Sequence, residues 1–415
     1  MNLKSLLLIC LSITAHLTKA QQGAALCFEI TEESVKLIES LISINLDKDI
    51  FQNIDENIAL VKVSKEGEQF IPFQLDSDKS KIWFKHNGME KTVSYCLKKE
   101  TNLVNKTNFN IEKKDGDLNL KYRDESLISY RHEMKAPPEG IDEIYQKSGF
   151  IHPVLSPKGD TLSRIQPPDH YHHYGVWGPW TRTKINQEGV DFWNLKYGQG
   201  TVLFKEFDKV SSGQVFAGFI AKQEHLYSIK KDPKVAINES LEVKVWKNSN
   251  PNRYFIDYTS RFSSPVEKGI LFEAYRYGGG LGFRFKEQWH KDNCYVLTSE
   301  GKNRITADGT SARWCIVYGE STDKKGMNGI LFMSHPNNRS HPEPMRVWPI
   351  TANNDRGDMF FEFCPIRNKE WIIEHKKTYS LNYRMLVFEG TLSPEEAEAN
   401  WKAFAYPPQI LKINN

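Results

Sequence analysis

The densest group of reactive side chains in the sequence is Pro168-Asp-His-Tyr-His-His-Tyr-Gly-Val-Trp-Gly-Pro-Trp180, where three of the chain's 12 histidines fall within four positions. Imidazole is the side chain best able to exchange a proton near neutral pH, so His170, His172 and His173 are the first candidates for proton transfer. Proline and glycine on either side predict an irregular, pinned loop, the kind of segment in which a rigid scaffold presents functional groups. For any one of the three, the competing reading is a hydrogen-bonded structural histidine. The same H-x-H-H run offers ligands to zinc or another divalent ion, with His335 and Asp191 as further donors. It lacks the spacing of an established metal motif, and the reading carried forward requires no cofactor.

Two other residue types point to sugars. Trp177, Trp180 and Trp193 present indoles able to stack on the apolar faces of sugar rings, and Arg276, Arg284, Arg339 and Arg346 can clamp a carboxylate or sulfate bidentately. Each has a structural alternative: a tryptophan in a β-rich chain is usually core, and a glycine-flanked arginine often bonds backbone carbonyls. Gly278 to Gly280 is a poor phosphate cradle, because no P-loop lysine or strand-to-helix context follows. A bulge or a close backbone approach accounts for it better.

The elements that must position these groups read as strands. From Ala25 to about Lys99, short period-2 runs (Ile58–Val63, Phe70–Leu75, Lys81–Phe84, Thr92–Leu97) separated by Gly, Asp and Asn turns predict a small β-sandwich over 25–110. Glu32 to Ile44 also reads as a short helix, and both readings stay open. The polar stretch Lys99 to Asp117 is a linker or an exposed hairpin. Beyond it lie longer runs: Leu118–Tyr122, Thr201–Phe207, Phe216–Tyr227, Ser240–Trp246, Tyr254–Phe262, Gly269–Tyr277, Ala312–Tyr318, Gly329–His335 and Thr378–Glu389. They predict an all-β chain whose second domain, 115–406, is a large antiparallel β-sandwich of supersandwich type. One C-terminal helix is expected at Ser393-Pro-Glu-Glu-Ala-Glu-Ala-Asn-Trp, from its Ser cap, first-turn Pro and acids.

Residues 1–20 read as a cleavable signal peptide, with Lys4 before the apolar run Leu6–Ile13 and Ala20 before Gln21; the expected location is periplasmic or secreted. No stretch reaches the roughly 20 apolar residues of a membrane span. Loss of Lys4 and Lys19 takes the net charge from +3 to about +1, which recommends no nucleic-acid partner. Cys27, Cys96, Cys294, Cys315 and Cys364 remain, an odd number without a C-x-x-C pair. One or two disulfides suit an oxidising compartment, Cys27 with Cys96 first; buried small hydrophobes are the other reading.

Three ordered blocks carry a resemblance: Asp169-His-Tyr-His-His-Tyr-Gly with Gly189-Val-Asp-Phe-Trp193, Glu273-Ala-Tyr-Arg-Tyr-Gly-Gly-Gly-Leu-Gly-Phe-Arg284, and His335-Pro-Asn-Asn-Arg-Ser-His-Pro-Glu-Pro-Met-Arg346. Over roughly 115–406 the chain resembles the methane oxygenase PmoA-like family of exported Bacteroidetes-type proteins, a domain of unknown function. Tyr171 and Tyr174 stand where that family has Pro and Arg. The oxygenase label does not fit, since a processed N-terminus at Gln21 supplies no histidine for copper. The resemblance instead implies an enzyme of marine polysaccharide (ulvan) breakdown, an oligosaccharide dehydratase acting on an acidic, unsaturated uronic-acid-containing partner.

Sugar acids offer an activated proton at C5, next to the carboxylate, and unsaturated sugars offer other acidic positions; removing water from such a sugar needs a base for the carbon-bound proton, a cation on the carboxylate and an acid for the departing hydroxyl. His172 or His173, Arg276, and Tyr174 or Tyr275 can fill these roles. Glu273, Asp191, Arg284, His335, Arg339, His341 and Arg346 are expected around the substrate with the three indoles. A glycoside hydrolase using two of Asp169, Asp191 and Glu273 is the alternative, and a non-catalytic sugar-binding protein is a third.

Overall fold

The computed structural model describes residues 24–31, 38–46, 58–76, 79–88, 90–100 and 107–413. The signal peptide expected at 1–20 lies outside them, as does 32–37 of the segment with a helical alternative; Glu39–Asn45 of that segment is a strand. Two compact units emerge, one formed by 1–108, 213–215 and 406–415, the other by 109–212 and 216–405.

In the smaller unit, a five-stranded antiparallel sheet contains Ala24–Thr31, Thr92–Lys99, Ile58–Ser64 and Gly67–Ile71, with Gln409–Ile413 at its edge. A three-stranded sheet of Glu39–Asn45, Lys81–Asn87 and Phe73–Leu75 faces it. Alternation drives the pairing of faces: Ile82, Phe84 and His86 point inward from one strand while their neighbours are part-exposed, and Phe84 meets Phe28 and Tyr95 of the other sheet. The run Phe70–Leu75, expected as one strand, is split. Pro72 has no N–H for a ladder, so Gly67–Ile71 ends one sheet and Phe73–Leu75 joins the other. Cys27 and Cys96, directly opposite on adjacent strands, form a disulfide. Cys294, Cys315 and Cys364 are buried thiols.

The larger unit is a sandwich of two antiparallel sheets. One has nine strands in the order Ser311–Ala312, Glu343–Val347, Phe360–Phe363, Leu281–Arg284, Val176–Trp177, Phe150–Val154, Glu125–Arg131, Asp117–Tyr122 and Phe109–Lys114. The other has eight, in the order Gly200–Ser211, Ala217–Tyr227, Lys234–Trp246, Arg253–Ser263, Tyr379–Glu389, Met327–Ser334, Trp314–Glu320 and Cys294–Thr298. Phe283, Phe361 and Phe363 of the first meet Phe332 and Tyr383 of the second across the interior; each fully buried ring contributes about 1.5–3 kcal/mol. The last two strands of the nine-stranded sheet form a hairpin through Asp115-Gly116, both with positive φ, the backbone that a two-residue hairpin demands. This resolves the second half of the expected linker or hairpin.

The helix α1 (Pro394–Ala405) begins as its sequence predicts. Ser393 Oγ accepts from Glu396 N at 3.1 Å, and Glu396 Oε2 accepts from Ser393 N at 3.2 Å, a reciprocal capping box. The run Gly269–Tyr277 departs from expectation: only Ile270–Phe272 is strand, within a four-stranded sheet. The remainder is a loop running into Gly278–Gly280, whose positive φ values end extended pairing.

Period-2 geometry puts every second residue of the nine-stranded sheet on the face away from the sandwich interior. Met345 and Val347 face inward while Arg346 lies opposite; Phe361 and Phe363 face inward while Phe360 and Glu362 lie opposite. Glu343, on the inward side, is fully buried and accepts from Ser334 Oγ and Tyr383 Oη at 2.7 Å each and from Asn338 Nδ2 at 3.3 Å. Burial pushes its carboxyl up to about 7, against the pull of these donors. A raised folded pKa stabilises only where the group is protonated, so this contribution is complete below the ordinary glutamate value near 4.5 and lost as pH rises through about 7. Glu343→Gln is expected to flatten that part of the stability profile. Chemical denaturation between pH 4.5 and 7.5 should show wild type losing up to about 3 kcal/mol relative to the variant; parallel profiles would refute it.

Candidate active site

The outer face of the nine-stranded sheet carries a hollow of about 290 Å³, lined by His170, His172, His173, Trp193, Asn194, Arg276, Tyr277, Arg346, Trp348 and Phe360, with Pro349, Ala352 and Asn353 at one side. The histidine loop enters immediately before the strand Val176–Trp177. Backbone bonds from His170 N to Pro167 O (2.9 Å) and from His173 N to His170 O (3.0 Å) make two consecutive tight turns, and Gln166 N to His173 O closes the loop at its base. Gly175 has φ +62°, and a Cβ there would collide with the carbonyl oxygen of Ile151; only glycine lets the chain leave the loop into the sheet.

These turns gather the three imidazoles. Ring centroids are 4.7 Å apart for His170 and His173, 4.8 Å for His172 and His173, and 5.3 Å for His170 and His172. His173 is 2% exposed and packs among Trp177, Trp193, Trp348 and Phe360. Its Nδ1 has no hydrogen-bond partner among the described residues. Burial, reinforced by the neighbouring imidazoles and Arg284, pushes His172 down to about 3 and His173 well below the ordinary range. Both rings are therefore neutral at physiological pH.

Behind the loop lies a buried ionic girder. Arg284, 1% exposed, donates through Nη2 to Asp169 Oδ2 (2.9 Å) and Asp358 Oδ2 (2.7 Å), with its guanidinium over the Trp348 ring at 4.5 Å. The same Asp169 oxygen lies 2.8 Å from His170 Nδ1. Although burial alone would raise the Asp169 carboxyl, the hydrogen bond to His170 and the Arg284 charge hold it down to about 2. Asp169 is thus an anion that orients His170.

The opposite rim is cationic. Arg276 is exposed, and no hydrogen bond or ion pair engages its guanidinium among the described residues; it rests beside the rings of Tyr275 and Tyr277. Arg346 is paired with Asp308. The Tyr277 hydroxyl donates to Asn194 Oδ1 at 3.2 Å, and burial pushes it up to about 12, so it remains a proton donor. Asn194 is held by Asp191, which also accepts from the backbone N–H groups of Trp193 and Asn194 at 2.8 and 2.9 Å.

Of the residues singled out in the sequence, the hollow unites His170, His172, His173, Trp193, Arg276 and Arg346. Others sit elsewhere. Tyr174 is fully buried, its hydroxyl donating to the Tyr145 carbonyl, so it has no access to a substrate. Tyr275 flanks Tyr277 and carries Arg182 over its ring. Trp177 is floor beneath His173, and Trp180 is core, stacked on Phe272 at 4.2 Å; neither indole has a face left for a sugar. Asp191 shapes the turn, Glu273 pairs with Lys184 at 2.7 Å, and Arg284 is the buried girder. His335 and His341 pack on Phe404 and Trp401, and Arg339 lies over Trp371, so His335 and Asp191 are not in the imidazole group.

Tyr277, Asn194, Trp348 and Phe360 were missed. Tyr277 lies inside the Glu273–Arg284 block, and the glycines after it are the available signal; a chain turning sharply there exposes what precedes it. Trp348 and Phe360 carry no such mark.

Residues 117–402 match a family described as a family of unknown function (DUF6807), and the chain belongs to it. No curated protein matches the chain. Among solved structures, it is similar to an alpha-mannosidase from Enterococcus faecalis V583 (TM-score 0.40, 9% identity, 94% of this chain and 46% of that one). It is also similar to heparan sulfate lyase HepC from Pedobacter heparinus (0.33, 10%, 71% and 38%) and to a galactose mutarotase related enzyme from Lactobacillus acidophilus (0.32, 9%, 68% and 100%). The chain thus spans less than half the length of the first two. No helix among the described residues is long and apolar enough to cross a membrane.

Proposed function

We propose that the hollow is the active site of a carbohydrate-active enzyme that eliminates water from an acidic oligosaccharide. One observation carries this: imidazoles, an unpaired guanidinium and aromatic walls open onto the same solvent-reachable space. In the proposed reaction the sugar carboxylate is held by Arg276 and Arg346, which stabilise the enolate-type anion formed when a carbon-bound proton activated by the carboxylate or its conjugated double bond leaves. The imidazole end is the basic centre. The electron pair of the broken C–H bond forms the double bond as the C–O bond on the neighbouring carbon breaks, Tyr277 gives its proton to the departing hydroxyl, and the proton taken by the basic centre returns through solvent to the Tyr277 oxygen, so that the sum is one water lost. Trp193, Trp348 and Tyr277 supply faces for the ring.

The hydrolase alternative requires two carboxylates on one cleft. Among the described residues lining the hollow there is none, and Asp169, Asp191 and Glu273 are each engaged locally. The proposed setting, an enzyme of ulvan-type polysaccharide breakdown, is supported by the resemblance of the three sequence blocks to the PmoA-like family.

Mass spectrometry of unsaturated uronic-acid oligosaccharides after incubation tests the reaction. Loss of one water from an intact chain, with absorbance from a conjugated product, is expected; gain of water with shorter chains would mean hydrolysis, and unchanged oligosaccharide a binding protein. Arg276→Ala is expected to raise KM about tenfold for the acidic substrate, the loss of one charge-assisted contact, and to leave the neutral, carboxyl-reduced sugar unaffected. Equal effects on both sugars would remove Arg276 from the carboxylate.

A further inference from the structure

We propose that His170, His172 and His173 together bind one divalent transition-metal ion at the floor of the hollow. Each ring offers a ligand nitrogen, and these nitrogens all lie within 4.8 Å of one another. In a tetrahedral site with metal–nitrogen bonds near 2.0–2.1 Å, ligand nitrogens stand about 3.3 Å apart, so closure asks for ring shifts of roughly 1.5 Å at most, which modest χ rotations supply.

Four features separate this group from a chance cluster. First, imidazoles brought so close normally bond to one another or to other partners, because buried polar atoms are rarely left alone. Among the described residues no hydrogen bond reaches the side chains of His172 or His173, and Nδ1 of His173 is buried without a partner. Second, Asp169 lies behind His170 at Nδ1, the carboxylate–histidine arrangement that fixes a ligand's tautomer and leaves Nε2 free for a metal. Third, that carboxylate is itself anchored by the buried Arg284, so the supporting shell is built, not incidental. Fourth, the three rings occupy one side of a solvent-reachable hollow; three protein ligands with an open position is the pattern of catalytic zinc sites, whereas structural sites are closed. Nitrogen-only ligands favour zinc, cobalt, nickel, copper or iron over magnesium or calcium.

This inference rests on the reading above for the position of the sugar and alters how the basic centre works. With the nitrogens engaged as ligands they could not take the substrate's carbon-bound proton, and an ion held there would supply the base as its bound hydroxide, because a divalent cation brings the acidity of bound water toward neutrality. The sugar carboxylate or a hydroxyl, facing the same hollow, comes within reach of the open position.

The test uses the full, untagged chain, stripped with a chelator and titrated with Zn²⁺ by calorimetry and with Co²⁺ by visible absorption. One ion per chain is expected, with cobalt bands of a nitrogen-ligated, low-coordinate site. His172→Gln should weaken affinity at least 100-fold, and Asp169→Asn about 10–100-fold through the supporting shell. Where a variant fails to fold, the wild-type thermal midpoint serves instead: it should rise on adding Zn²⁺ to stripped protein and not on adding Mg²⁺. Absence of binding, or unchanged binding in His172→Gln, overturns the site. Turnover of oligosaccharide by protein shown to be ion-free overturns it too, and leaves the sugar reading standing. Ion binding without product from any acidic sugar upholds the site and removes the reading of the reaction.

Discussion

His172→Ala is expected to lower kcat/KM for an acidic oligosaccharide by 10²–10⁴-fold, the range for loss of a group central to proton transfer, while oligosaccharide affinity changes little. The side chain is part-exposed at the hollow and makes no hydrogen bond among the described residues, so its removal strips chemistry without stripping structure; the thermal midpoint should stay within a few degrees of wild type. The rings of His172 and His173 lie 4.8 Å apart, and on the proposed reading they work at one centre. The double variant should therefore fall little below the single one, since residues that act as a unit are not additive. Steady-state kinetics with the two single variants and the double variant checks this. A multiplicative loss would mean that the rings act independently. Full turnover by His172→Ala would take the imidazole end out of the reaction.

Arg284→Met is expected to cost about 3–5 kcal/mol of stability, the usual result of removing one partner from a buried ionic network. Methionine keeps much of the aliphatic volume and the contact with Trp348, so cavity formation is minimised and the electrostatic part dominates. Two carboxylates, Asp169 and Asp358, lose their shared cation; Asp358 is 3% exposed and retains Arg356 and Asn353 as partners, whereas among the described residues Asp169 retains only His170 as a side-chain partner. The damage should therefore be concentrated at the histidine loop. Amide hydrogen exchange should show faster exchange at residues 169–175 than elsewhere in the nine-stranded sheet, alongside the lowered denaturation midpoint. A variant as stable as wild type, with the loop equally protected, would mean that Arg284 is merely accommodated. Arg284→Lys is expected to recover little, because one ammonium cannot reproduce the planar stack on Trp348 and the bridge between two carboxylates.

Much of the architecture was legible locally. Alternation along Lys81–Asn87 or Arg253–Ser263 reports which face is buried without reference to any distant residue. Asp115-Gly116 states its hairpin, and Ser393 with Glu396 states the start of α1, because both depend on bonds spanning three residues or fewer. Where a single residue interrupts pairing, as Pro72 does, the sheet assignment changes although the run still reads as apolar and alternating. The histidine loop, too, announced itself through composition and its bracketing proline and glycine.

Which aromatic and basic side chains share the hollow was a different matter. Trp177, Trp180 and Trp193 look alike in sequence, yet Trp180 is locked against Phe272 and Trp177 lies under His173, while Trp193 faces the hollow over Gly282, whose missing Cβ leaves room for the indole. Trp348, just past the strand Glu343–Val347, and Phe360, in the strand Phe360–Phe363, complete the same wall from far along the chain. The choice of Tyr277 over Tyr174 turns on a hydroxyl bonded to the Tyr145 carbonyl, a contact that no spacing encodes. The sequence by itself determined the β class and the local turns and caps, since these follow from backbone propensity and near-neighbour bonds, and it singled out the histidine loop by composition. Only the tertiary structure decided which side chains meet across the sheet and which are sealed in the core, because that depends on long-range packing between strands whose order in the sheet is not their order in the chain.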